Sequence, residues 1–268
     1  MKLKAAFTPV VGLILLLTPL TSAAQATASA GIGPLSDPPA WTGEGTLANE
    51  TFGFSVAAAG DVNGDGYTDV IVGAPFSQDD LDEDGRAYVY LGTASGVAAS
   101  PAWTAEIDQA GARFGWSVGT AGDVNGDGYS DVIVGAPFDY NAQDEGRAYV
   151  YLGAASGLAD SPAWVAEIDQ AGACFGFSVG TAGDVNGDGY SDVIVGAETY
   201  SGTYPLSGQA YVYLGSASGL ASSPAWAVDS DQFVVFFGHA VGTAGDVNGD
   251  GYDDVVVGAY GGGYDGSG

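Results

Sequence analysis

GDVNGDGYTDVIVGAP, residues 60–75, decides how the chain folds, because the sequence writes it four times. GDVNGDGYSDVIVGAP follows at 122–137, GDVNGDGYSDVIVGAE at 183–198 and GDVNGDGYDDVVVGAY at 245–260. The leading aspartates, Asp61, Asp123, Asp184 and Asp246, are separated by 62, 61 and 62 residues. A fixed period of that size denotes an array of stacked structural units. In the first copy Asp61, Asn63, Asp65 and Asp69 put oxygen-bearing side chains at positions one, three, five and nine, and Tyr67 can offer its carbonyl at seven. Gly66, at position six, permits the left-handed turn that wraps a chain around an ion. Hard cations take six to eight oxygens, and this set with water can supply them. Each copy is therefore expected to hold one calcium ion, about four Ca2+ in all. No histidine or cysteine stands in the loops, which argues against zinc or copper.

The residues after the loop separate it from better-known relatives. Position twelve, where an EF-hand needs a bidentate glutamate, is Val72. The run Val70-Ile71-Val72 is β-branched and favours a buried strand over an exiting helix. An Asn/Asp/Gly-rich hairpin turn that binds nothing is the competing reading, since NGDG is good turn chemistry. A plain turn has no need of aspartate at one, five and nine in every copy. Two carboxylates about 4 Å apart repel by about 4 kcal/mol at an effective dielectric near 20, so three in nine residues call for a cation.

Between the loops each unit carries four short apolar runs rich in Val, Ile, Tyr, Phe or Trp. In the second unit they cover 114–120 (A), 131–136 (B), 147–153 (C) and 162–168 (D), each bounded by Gly, Asp, Ser or Pro. No window keeps a helical period. Four consecutive strands per repeat predict an all-β chain of β-propeller blades. In such a meander the A–B loops and C–D turns share one face, and the B–C and D–A loops share the other. The second face varies most, as SQDDLDEDG (77–85), DYNAQDEG (139–146) and ETYSGTYPLSG (198–208) show. Rigid blades with variable loops are a usual geography for a binding surface, although drift in solvated turns gives the same pattern. Trp41, Trp103, Trp164 and Trp226 recur with the D run and are read as packing between blades rather than ligand stacking.

FGFSV (52–56), FGWSV (114–118) and FGFSV (175–179), followed by VGAP (72–75, 134–137), resemble FG-GAP repeats, as in the seven-bladed propeller of integrin α subunits. The resemblance covers about residues 40–268. It implies that calcium is ligated by Asp61, Asn63, Asp65, Tyr67 through its carbonyl and Asp69. The matching sets are Asp123, Asn125, Asp127, Tyr129 and Asp131, then Asp184, Asn186, Asp188, Tyr190 and Asp192, then Asp246, Asn248, Asp250, Tyr252 and Asp254. The fourth copy drifts to FGHAV (237–241) and GAY, with its loop ligands intact. PAWTG (39–43) copies the D pattern PAWTA (101–105), as if Trp41 belonged to a strand that completes a last blade and closes a ring. The fourth unit stops before its C run, so an incomplete fragment of a seven-bladed ring, short of about three blades, is expected.

Residues 1–26 read as a secretory signal peptide: Lys2 and Lys4, an apolar core from Val10 to Leu17, and Ala24-Gln25-Ala26 for cleavage. A linker over 27–38 and the FG-GAP repeats over 39–268 follow. After cleavage three arginines face 33 acids, a net charge of −30 that four calcium ions bring to −22. That balance argues against nucleic acid and anionic membranes, and no later stretch suits membrane insertion. Cys174 is the only cysteine and takes the repeat position of Arg113, and His239 is the only histidine. Both read as structural, leaving no catalytic constellation. The expected product is an exported module, secreted or at the cell surface, for adhesion or macromolecular recognition of a protein or carbohydrate ligand on the B–C/D–A face. The non-catalytic propeller of a secreted hydrolase, and a carbohydrate-binding lectin-like propeller, stand as alternatives.

Overall fold

The computed structural model describes residues 41–45, 51–76, 84–138 and 145–261. The leader, the linker, most of the loops at 77–85 and 139–146, and the chain beyond 261 lie outside the described residues. Every regular element described is a β-strand. The first sheet holds β1 (Ser55–Gly60), β2 (Asp69–Ala74), β3 (Arg86–Tyr90) and β4 (Trp103–Glu106). The second holds β5 (Ser117–Gly122), β6 (Asp131–Ala136), β7 (Arg147–Tyr151) and β8 (Trp164–Glu167). The third holds β9 (Phe175–Gly183), β10 (Asp192–Ala197), β11 (Gln209–Tyr213) and β12 (Trp226–Asp229), and β13 (Phe237–Gly245) pairs with β14 (Asp254–Ala259) in the fourth. Each sheet is an antiparallel meander in chain order. Among the described residues no helix is long and apolar enough to cross a membrane.

The sheets stack as blades, with the A strands β1, β5, β9 and β13 next to one another in sequence. Both faces of an inner blade are covered, which is why its B strand reads as a continuous apolar run rather than an alternating one. Ile71, Val89 and Trp103 of the first blade bury against Phe114, Val134 and Tyr151 of the second. Ile133, Val150 and Trp164 of the second do the same against Phe175, Val195 and Tyr213 of the third. The outer face of the first blade, Val72, Tyr88 and Tyr90, is covered in part by Trp41 and Phe52.

Glycines set the closeness of the seams. A Cβ on Gly73 would stand 2.0 Å from the carbonyl oxygen of Gly115, and Gly135 meets Gly176, and Gly196 meets Gly238, in the same way. The glycine of one FG pair therefore lies on the GA glycine of the preceding blade. Ser55, Ser117 and Ser178 each donate a hydroxyl to that FG carbonyl at 2.7–2.8 Å.

Strand limits depart from the sequence expectation at A, C and D. In the second blade A begins at Ser117 rather than Phe114, whereas in the third and fourth it begins at the FG phenylalanine, Phe175 and Phe237. Strand C stops at Tyr151, where the chain turns so that Gly153 N–H reaches Asp131. Strand D keeps only Trp164–Glu167, the residues that face β7. Residues 41–45 form no strand. Trp41 nevertheless takes the place of a D-strand tryptophan, described below.

Candidate metal centres

Each A–B loop winds around its first aspartate. Asp61 accepts the N–H of Gly64 (2.7 Å) and Asp65 (3.1 Å) on Oδ1 and that of Gly66 (2.8 Å) on Oδ2. Asn63 Oδ1 also accepts from Asp65 N–H, and Asp65 Oδ1 accepts from Tyr67 N–H, both at 3.0 Å. Gly64 and Gly66 take φ of 73° and 89°, which an L side chain adopts only with strain. Asp123 and Asp246 gather the N–H groups of their own loops in the same way, Gly126, Asp127 and Gly128 for one and Gly249, Asp250 and Gly251 for the other. Asp184 accepts from Asp188 and Gly189.

The ninth residue sits under the loop. Asp69, Asp131 and Asp192 are fully buried, and each carboxylate bridges two backbone N–H groups. Asp69 accepts from Val62 (2.9 Å) and Gly92 (2.7 Å), which ties the A–B loop to the C–D segment of its blade. Asp131 takes Val124 and Gly153, and Asp192 takes Val185 and Gly215. Asp254 takes Val247 and, more distantly, the Asn248 amide. Burial raises the pKa of all three buried aspartates. The two N–H bonds oppose that shift, and the like charges at positions five and one add to it. For Asp131 the result is about 6. Asp246, in the exposed fourth loop, is lowered, chiefly by Gly251 N–H.

The predicted side chains thus stand together loop by loop, with position five exposed in every loop, position one half-buried in the first three, and position nine buried below in those three. Among the described residues no three His, Cys, Asp or Glu side chains form a finished metal cluster, because the carboxylates face N–H groups. The donor chemistry still fits a hard cation. A carboxylate offers about four lone-pair sites, of which Asp61 uses three, Asp65 two (for Tyr67 N–H and the Asn63 side-chain amide) and Asp69 two. Every remaining donor is oxygen, the preference of calcium and magnesium.

The opposite edge carries a row of aromatic rings that sequence reading did not assemble. The residue after each FG pair packs at a tilt against its counterpart in the next blade: Phe54 against Trp116 at 4.7 Å, Trp116 against Phe177 at 5.5 Å, and Phe177 against His239 at 5.2 Å between centroids. The Arg113 guanidinium lies over Phe76, Trp116 and Phe138. His239 Nδ1 stands 2.6 Å from Glu198 Oε2, so the departures GAE and FGH meet across one seam. Cys174 is buried in the same left-handed turn as Arg113 (φ 54° and 56°). Trp103 and Trp164 sit in the seams, as the sequence suggested, and Trp41 makes the same contacts on the first blade, whereas Trp226 is exposed. Trp41, Trp103 and Trp164 donate Nε1–H to Ala98, Ala159 and Ala221 carbonyls and pack edge-on against Tyr90, Tyr151 and Tyr213.

The chain matches the FG-GAP repeat family over residues 52–90, 114–151, 175–213 and 237–268. It is 32% identical over 212 residues to integrin alpha-4 of Xenopus laevis, covering 78% of this chain and 20% of that protein. Integrin alpha pat-2 of Caenorhabditis briggsae is 36% identical over 222 residues, 76% of this chain and 17% of its own length. Human integrin alpha-IIb is 39% identical over 153 residues, 54% and 14% respectively. The chain thus spans a fifth or less of the length of each of these relatives.

Proposed function

Because this chain belongs to the FG-GAP repeat family, we propose that it is an exported, calcium-stabilised propeller segment that recognises another macromolecule at the cell exterior. The observation that carries the calcium reading is the recurrence of one oxygen-rich loop, four times on one edge, wound on the same hydrogen-bond scheme. Asp61, Asn63, Asp65, the Tyr67 carbonyl and Asp69, with their counterparts in the other loops, would hold the ions. A bound calcium supplies positive charge that offsets the carboxylates. Binding exchanges some N–H contacts for the ion, so affinity falls in the range of extracellular modules, with Kd on the order of 0.1–1 mM.

Recognition is assigned to the opposite edge, where the row from Phe54 to His239 offers ring surface. Aromatic faces with a polar handle supply much of the energy at macromolecular contacts. Phe54 is 48% exposed and Phe233, on the same side as the 198–208 loop through its contact with Tyr204, 43%. A protein ligand is the favoured partner, because the related proteins are integrin alpha chains. Calorimetry with millimolar calcium should register about four ions, and no uptake would overturn the calcium reading. Binding to immobilised extracellular proteins should weaken in Trp116→Ala, and unaltered binding would move recognition elsewhere.

A further inference from the structure

Resting on the calcium reading above, we propose that the eighth residue of each loop positions the first calcium ligand of the preceding loop, so that the sites fill cooperatively along the array. Ser130, in the second loop, holds both backbone polar groups of Asp61 in the first. Its N–H donates to the Asp61 carbonyl at 2.9 Å, and its Oγ accepts the Asp61 N–H at 3.2 Å. Ser191 grips Asp123 in the same way, at 3.0 and 3.1 Å. In the fourth loop Asp253 replaces the serine and keeps both bonds to Asp184, with its carboxylate at 2.8 Å.

Packing reinforces the grip. A Cβ on Gly60 would stand 2.3 Å from Ser130 Oγ, and one on Gly64 would stand 2.6 Å from the Tyr129 ring. Gly122 and Gly126 meet Ser191 and Tyr190 at the same distances. Each of the first two loops therefore lies on its successor through the glycine just before position one and the glycine at position four. The gripping residue is flanked by two predicted ligands, the Tyr129 carbonyl and Asp131 for Ser130. An ion that orders one loop fixes its eighth residue, which in turn fixes the first aspartate of the loop before it. Coupling of this kind is reciprocal, so each filled site favours both neighbours. One other seam bond reaches the loops, from Ala154 N–H to the Val62 carbonyl at 3.1 Å and from Ser216 N–H to the Val124 carbonyl at the next seam, whereas the Trp103 bond to Ala159 runs far from any loop ligand in sequence.

The test uses the whole chain and calcium alone. Calorimetry of the wild type should give an isotherm steeper than four independent sites allow. Ser191→Ala should weaken uptake at the second loop roughly two- to tenfold, the size of one net hydrogen bond. Hydrogen exchange should locate the loss, with faster exchange of the Gly126 and Gly128 amides. Ser191→Asp, which copies the fourth loop, should retain wild-type coupling, and Ser130→Ala repeats the test at the first seam. Unchanged affinity in both alanine variants, or a wild-type isotherm that independent sites describe, overturns the coupling while leaving calcium binding standing. A wild type that takes up no calcium overturns the proposed function and the coupling together.

Discussion

Asp131 has two tasks that substitutions can separate. Its carboxylate satisfies the N–H groups of Val124 and Gly153 inside the blade, independent of any ion. Asparagine keeps the shape but turns a donor toward one of them. Asp131→Asn should therefore destabilise the chain by about 1–3 kcal/mol even in chelator, the cost of a buried polar group left unsatisfied. Asp127→Asn, on the exposed side of the loop, should cost little in chelator and lower only the calcium-dependent part. Urea unfolding of both variants with and without calcium checks this. Glycines divide in the same manner. Gly115→Ala must accept both a positive φ and a Cβ 2.2 Å from the Arg86 carbonyl. Strain of about 1–2 kcal/mol and overpacking of about 1–3 kcal/mol then add, and denaturant midpoints should reveal the sum. Gly66→Ala meets nothing within 4 Å and should show the strain alone.

At the scale of elements, the D strand is worth most where a following blade receives its tryptophan. Trp103 is 7% exposed and Trp226, in the same register of β12, is 38% exposed. Trp103→Ala should cost about 3–5 kcal/mol, whereas Trp226→Ala should cost less than about 1 kcal/mol, by thermal or urea unfolding. Equal losses would show that the seam contact is not what the tryptophan contributes. The strands and their order were legible in the sequence because Val-Ile-Val runs and Gly-rich boundaries are local signals, and strand B at 131–136 agrees to the residue. The start of strand A was legible only in part, since near-identical FG sequences open the strand at Phe175 and Phe237 but leave it to begin at Ser117 in the second blade. The residues that each loop gathers around its first aspartate could be named from spacing alone. The bridging bonds of Asp69 could not, because Gly92 is 23 residues away and contributes only its backbone. The aromatic row and the His239–Glu198 contact escaped for a related reason: their members are one per repeat and meet only across seams.

For the whole molecule, calcium is expected to govern stability. At about ten times its dissociation constant, and without binding to the unfolded chain, each ion contributes about 1.4 kcal/mol. Four such sites give roughly 5–6 kcal/mol, comparable with the net stability of an ordinary domain, about 5–15 kcal/mol. Chelation should loosen the array and speed its cleavage by protease, and magnesium should rescue poorly because it demands a tighter octahedral shell. Identical digestion patterns with and without chelator would show that the ions are incidental to the fold. The matched seams carry one more consequence. A serine hydroxyl meets the next FG glycine at the three junctions between blades, and an indole N–H meets the next C–D turn at the first two of them and where Trp41 meets the first blade. A unit that suits its predecessor therefore also suits its successor. In the history of a gene, tandem duplication of a tract of 61 or 62 codons would enter such a stack without compensating change elsewhere, so descendants gain or lose length by the repeat rather than by the residue.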